Sequence, residues 1–173
     1  MEERRVERRT AARAVLEAAL DTDDVEELRR IAVQAATQDG ADVNTWRAEG
    51  AGEEPLLVVA AEGGLAETVQ ALLEAGAEVG HADIDGYTAL YGAAVTGHVD
   101  VIKVLLEAGA EVDQASNEGQ TALTSAAGTG HVEAVLALLE AGAEVGHVDN
   151  EGETALIVAA LGGHVDVIRV LVL

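Results

Sequence analysis

The chain has 173 residues, enough for one modest domain, and a formal charge of −22. It has no Cys, which excludes a disulfide, a thiolate nucleophile and a thiolate metal site. No uninterrupted apolar run reaches the roughly 18 residues that a membrane-spanning helix needs.

Hydrophobic residues make up 49% of the chain but aromatics only 2%, with no Phe, so a core must be assembled from Ala, Val and Leu on closely spaced elements. The charge is unevenly placed. Residues 1–47 carry eight Arg against eleven acids, whereas residues 48–173 carry only Lys103 and Arg169 against twenty-one, a balance of −19. Such a surface repels phosphate backbones, so no nucleic-acid partner is expected. Two readings of the acidity stay open: it keeps the chain dispersed, or it draws in a Lys/Arg-rich partner. The opening Met1-Glu2-Glu3-Arg4-Arg5 lacks the apolar stretch of a secretory leader, and a cytoplasmic or nuclear location is expected, with no membrane partner.

In chain order, residues 3–20 read as a helix, with Val6, Ala11, Ala14, Val15 and Ala18 near one face. Asp21-Thr22-Asp23 punctuates it, and Val25, Leu28, Ile31, Ala32 and Ala35 mark a second amphipathic helix to about Gln38. Residues 1–44 are therefore expected to form an N-terminal helical cap or degenerate repeat. From Gly40 onward a pattern recurs. Leu72-Leu73-Glu74-Ala75-Gly76-Ala77-Glu78-Val79 returns unchanged at 105–112 and 138–145, and Gly86-Tyr87-Thr88-Ala89-Leu90 returns in form at 119–123 and 152–156. The step is 33 residues in both series. A fixed period of this size signals a solenoid whose units cannot bury a core alone. Residues 45–79 make one unit with a three-residue insertion around Thr45 to Gly52, expected as a loop. Residues 80–112 and 113–145 are complete units. Residues 146–173 form a truncated one, the whole being one continuous domain.

Within residues 80–112, Asp83-Ile84-Asp85-Gly86 predicts a turn, with an Asp side chain bonding local backbone and Gly86 taking positive φ. Thr88 predicts an N-cap. A first helix is expected over about 89–95, with Leu90, Ala93 and Ala94 as its apolar stripe. Gly97-His98 breaks it, and a second helix follows over about 99–107, with Val101, Ile102, Leu105 and Leu106 turned inward and Gly109 as the stop.

These residues resemble the ankyrin repeat, with its turn, Thr-Pro-Leu-His opening, helix pair, Gly-His break and Leu-Leu-x-x-Gly-Ala closure. The resemblance covers about 53–173. It implies an all-α ankyrin-repeat solenoid of stacked antiparallel helix pairs with β-turn fingers. There are departures. The Pro slot holds Ala89, Ala122 and Ala155, with Pro55 in Pro55-Leu56-Leu57 read as keeping it. The His slot holds Tyr91, Thr124 and Ile157, and loss of that His implies fingers less firmly tied to one another. The last unit breaks off before its Gly-Ala closure. Its bare face is expected either to be continued by further chain or to pack on another molecule through Ile168 to Leu173.

No catalytic constellation is present. Ser116 and Ser125, the only serines, lie in no Gly-x-Ser-x-Gly elbow, and no phosphate loop occurs. Asp83 and Asp85 lack the twelve-residue frame and closing Glu of a calcium loop. His98, His131 and His164 recur in register, yet stacked helices stand about 8–10 Å apart and zinc needs its nitrogens at about 2.0–2.1 Å. A structural role bonding backbone is expected for them, with no metal, no cofactor and no enzymatic activity.

The resemblance implies that fingertips and first helices touch partners. In residues 80–112 these slots are Ile84, Asp85, Tyr87, Tyr91, Val95 and Thr96, beside Ala82. In the next unit they are Asn117, Glu118, Gln120 and Thr124, beside Ala115 and Thr129. In the last they are Asn150, Glu151, Glu153, Ile157 and Leu161, beside Val148. Tyr87 and Tyr91 are the only tyrosines and Tyr is favoured at binding hot spots, though Tyr91 equally fills the vacated His slot between fingers. The expected function is non-catalytic recognition of a protein or peptide on the concave face, favouring Lys/Arg-bearing targets. Two alternatives are assembly through the bare C-terminal face and an engineered binding scaffold, the latter because an eight-residue segment recurs verbatim.

Overall fold

Three threonines set the architecture. Thr88, Thr121 and Thr154 sit in extended backbone, and their hydroxyls accept the N–H of Tyr91, Thr124 and Ile157 at 3.2, 3.3 and 3.3 Å, each opening a short helix. The computed structural model describes Asn44, Trp46–Arg47 and residues 53–172. The helices expected over 3–20 and 25–38, and Leu173, lie outside the described residues.

The described helices come as four antiparallel pairs: α1 (Leu56–Glu62) with α2 (Ala66–Glu74), α3 (Ala89–Thr96) with α4 (Val99–Glu107), α5 (Ala122–Thr129) with α6 (Val132–Glu140), and α7 (Ala155–Leu161) with α8 (Val165–Leu171). The second helices of the first three pairs end alike. Gly76, Gly109 and Gly142 take φ near +90, and their N–H groups bond back to Leu73, Leu106 and Leu139. The alanine after each glycine bonds to Leu72, Leu105 and Leu138, completing a Schellman motif. The verbatim Leu-Leu-Glu-Ala-Gly-Ala segment is therefore one stop signal used three times.

Helices of seven to nine residues do not persist alone, so stacking must hold them. First helices pack on first helices and second on second, the first row more closely. Alanine permits this approach: Ala93, Ala126 and Ala159, one per unit, are all fully buried. At Gly92 an added Cβ would stand 2.7 Å from Cγ of Glu62 on the preceding unit. The larger side chains fill the space between rows, with Leu90, Val101, Ile102, Leu105, Leu123, Val135 and Leu138 all within 2% of full burial. Each such Leu contributes about 1.5–3 kcal/mol.

Three expectations are corrected. Pro55 is the N-cap of α1, 33 residues before Thr88, and so stands in the Thr slot, while Leu56 takes the Pro slot. The Pro-Leu dipeptide matches the family opening and so shifts the register by one, whereas burial of Leu57 matches that of Leu90. The insertion around Thr45 to Gly52 is not merely a loop: Trp46–Arg47 (β1) pairs antiparallel with Glu53–Glu54 (β2), Trp46 opposite Glu54. Arms of two residues are too short to show an alternating pattern. Finally, the fingers are firmly tied despite the missing His, as described below.

The recurring histidines have the structural role expected. The Nε2 atoms of His131 and His164 bond the carbonyls of Val95 and Gly128 at 3.1 and 2.9 Å. The rings of His98, His131 and His164 cover Gly64, Gly97 and Gly130, all at positive φ, where a Cβ would stand about 2.5–2.6 Å from the imidazole.

Among the described residues one core polar atom is orphaned. Thr68 on α2 is 3% exposed, its hydroxyl has no partner, and its register mates are Val101, Ala134 and Val167. Thr68→Val keeps the shape and removes the unpaired hydroxyl, so a gain of about 1 kcal/mol in unfolding free energy is expected by urea titration.

Candidate functional site

Each finger is a tight turn organised by its first residue. Asp83 Oδ1 accepts the N–H of Asp85 and Tyr87 at 2.9 and 2.8 Å, and the Gly86 N–H closes on the Asp83 carbonyl at 3.0 Å. Ser116 Oγ accepts Glu118 and Gln120 in the next finger, and Asp149 Oδ1 accepts Glu151 and Glu153 in the last. The turn and the positive φ of Gly86 (+84) are as the sequence predicts. The glycine has a second purpose: a Cβ there would stand 2.8 Å from the Asn117 nitrogen. That close approach is where the fingers join. The Asn117 backbone N–H bonds the Asp85 carbonyl at 2.9 Å while its side-chain Nδ2 bonds the Ile84 carbonyl at 3.0 Å. Asn150 repeats the arrangement on the carbonyls of Glu118 and Asn117, at 3.0 and 2.9 Å. The His147 Nε2 adds a bond to the Gly119 carbonyl at 2.8 Å.

The candidate residues therefore divide. Asn117 and Asn150 spend their amides on neighbouring fingers. Thr124 is buried, 4% exposed, and forms a capping box with Thr121. It leaves the candidate surface, because a hydroxyl at the third helical position reaches back to the N-cap more readily than outward. Tyr91 is half-buried and its hydroxyl donates to Gln120 Oε1 at 2.9 Å, so it fills the vacated slot and ties α3 to the next finger. The Thr96 hydroxyl donates to the Gly92 carbonyl at 3.0 Å and Val95 is half-buried. Ile84, Asp85, Glu118, Glu151, Ile157 and Leu161 are exposed, while Tyr87 and Glu153 are half-buried. Ile84, at 80%, is the most exposed large apolar side chain among the described residues. The missed features are the Asn rungs, legible only as the recurrence of Asn one place before the acid at 117 and 150.

Tyr87 stacks on Tyr91, ring centroids 4.4 Å apart and planes at 26°. Burial raises the Tyr91 phenol above its usual pKa. Burial also raises Tyr87, aided by Tyr91 and then by the carboxylates of Glu118, Asp85 and Asp83. The folded chain thus keeps these protons longer than the unfolded chain. Their stabilisation is complete below pH of about 10 and is lost as pH rises beyond it. An absorbance titration of native protein should place both midpoints above that of denatured protein.

Acids recur at fixed slots along the stack: Asp85, Glu118 and Glu151 on the fingertips, and Glu74, Glu107 and Glu140 at the ends of the second helices. The latter face the negative end of the helix dipole. Two ion pairs among the described residues are local, Arg169 with Asp166 at 2.9 Å and His81 with Glu78 at 3.8 Å. Lys103 and Arg169, the two cations after residue 47, are exposed on second helices. Self-repulsion should therefore be screened by salt: raising NaCl from about 10 mM to about 0.5 M is expected to raise the melting temperature by several degrees in calorimetry.

No helix among the described residues is long and apolar enough to cross a membrane. A family model described as ankyrin repeats, three copies, matches residues 16–116 and 108–173. No curated protein matches the chain. Helix pairs, positive-φ glycine stops and turn-built fingers at a 33-residue step agree with that match, and the chain belongs to the ankyrin-repeat family.

Proposed function

We propose that this chain is a non-catalytic scaffold that grips a basic protein or peptide segment on its concave face, formed by the fingers and first helices. Ankyrin repeats generally mediate protein–protein interaction, and the first helices pack on one another more closely than the second helices do, which supports a concave face on their side. The observation that carries the reading is the division just described. The fingers are bonded to one another through backbone and Asn side chains, so they are held in place, while their tips point Ile84, Asp85, Glu118 and Glu151 outward. A preorganised surface loses little on binding. The −19 balance supplies the attraction for Lys and Arg. Nona-arginine tests the electrostatic half by calorimetry. Affinity should fall at least tenfold between about 20 and 200 mM salt, because screening shortens the reach of surface charge. Affinity indifferent to salt refutes it.

A second reading, end-to-end assembly of two copies, has its own observation. Leu156 is 37% exposed although its register mates Leu90 and Leu123 are at 2% and 0%. The exposed apolar side chains at that end among the described residues include Leu161 at 74%, Val172 at 63% and Val165 at 55%, whereas Ile168, Val170 and Leu171 pack on the core. Light scattering in high salt, where like charges are screened, decides it: a monomer at high concentration removes this reading.

A further inference from the structure

The fingertip of residues 83–87 differs from its two successors. At the two positions where it carries Ile84 and Tyr87, they carry Asn117 with Gln120, and Asn150 with Glu153. It therefore joins an apolar side chain, 80% exposed, to a tyrosine whose ring rests on a second tyrosine. Tyr91 is fixed from beneath by its bond to Gln120, so the Tyr87 ring lies on a held base. The neighbouring finger is locked alongside by the Asn117 bonds to Ile84 and Asp85, which brings Glu118 next to the shelf. Asp83 spends Oδ1 on backbone, whereas Asp85 and Glu118 are exposed and meet no Lys or Arg among the described residues.

An aromatic face with an apolar edge and flanking carboxylates matches one side chain best. Arginine is planar and stacks on a ring, its stem covers apolar surface, and its N–H fork suits carboxylates; lysine offers a point charge without the plane. We infer that this fingertip is an arginine-binding shelf: the guanidinium of an extended partner segment lies on Tyr87, its stem lies on Ile84, and its N–H groups reach Asp85 and Glu118. The inference rests on the reading above that the partner is basic, and it names the residue that anchors it.

The test uses the whole chain with two probes. N-acetyl-arginine amide, followed by NMR at the two tyrosine side chains, should shift Tyr87 saturably, and N-acetyl-citrulline amide, neutral and of the same shape, should bind about fivefold or more weakly. Nona-arginine affinity should fall about fivefold in Tyr87→Leu and in Asp85→Asn/Glu118→Gln, and should change less than twofold in Glu107→Gln/Glu140→Gln, where the same charge is removed from the second helices. Circular dichroism confirms that each variant is folded, and the carboxamide pair tests the shelf with its ring intact. Nona-arginine binding undiminished in both fingertip variants, or weakened equally by the second-helix pair, overturns the shelf and leaves the basic-partner reading standing. Equal binding of arginine and citrulline amides overturns it as well. Absence of nona-arginine binding at low salt overturns the basic-partner reading itself, and the arginine amide then decides the shelf alone.

Discussion

Gly97→Ala is expected to lower the unfolding free energy by about 2–4 kcal/mol, whereas Gly109→Ala, at a similar backbone angle, should cost about 1–2 kcal/mol. Both glycines are left-handed, φ +75 and +90, and an alanine at either pays the same backbone strain. They differ in what lies beyond. Nothing stands within 4 Å of a Cβ at Gly109, while at Gly97 it would meet the His131 ring at 2.6 Å. The ring cannot retreat without giving up its 3.1 Å bond to the Val95 carbonyl, one turn of contact that couples two units. The excess for Gly97 thus measures an interface between units, not a turn. Urea titrations of the two variants, side by side, supply the check; equal losses would show that the imidazole swings away freely.

Leu123→Ala should cost about 3–5 kcal/mol, whereas Leu156→Ala should cost roughly 1–2 kcal/mol. The residues hold the same slot one unit apart. Leu123 is fully enclosed between α3 and α7, so its removal leaves a cavity with packed walls on both sides. Among the described residues Leu156 meets a stacked first helix on one side, α5, and is 37% exposed, so solvent already touches part of what the mutation removes. Stability in such a stack is a sum of unit and interface contributions, which makes the ratio of the two losses a direct reading of one missing interface. Hydrogen exchange should agree, with amides of α7 and α8 opening before those of α5 and α6.

The chain's periodicity made the helices legible almost to the residue. First and second helices expected over 89–95 and 99–107 are found at Ala89–Thr96 and Val99–Glu107, because Thr caps, Gly-His breaks and Gly stops each encode one local hydrogen-bond pattern. The same periodicity hid what depends on the neighbouring unit. That Asn117 and Asn150 bridge fingers, or that Tyr91 reaches Gln120, follows from where a preceding unit places its carbonyls and side chains, and no reading of a single unit contains that distance. The candidate surface was accordingly half legible. Exposed tips such as Ile84 and Glu118 are where the fold leaves them, whereas Thr124 was withdrawn by a cap partner three residues away. Pro55 is ambiguous for a related reason: the Pro-Leu dipeptide matches the family opening, while the burial register that fixes its slot exists only in the packed stack.

The chain of amide bonds from Ile84 through Asn117 to Asn150 runs crosswise to the helices, joining tip to tip. A load applied to one tip is therefore passed sideways before it reaches any helix. Prying the middle finger loose means breaking its seams with both flanking fingers at once, so a bound segment would be resisted by a comb whose teeth are fused near their points.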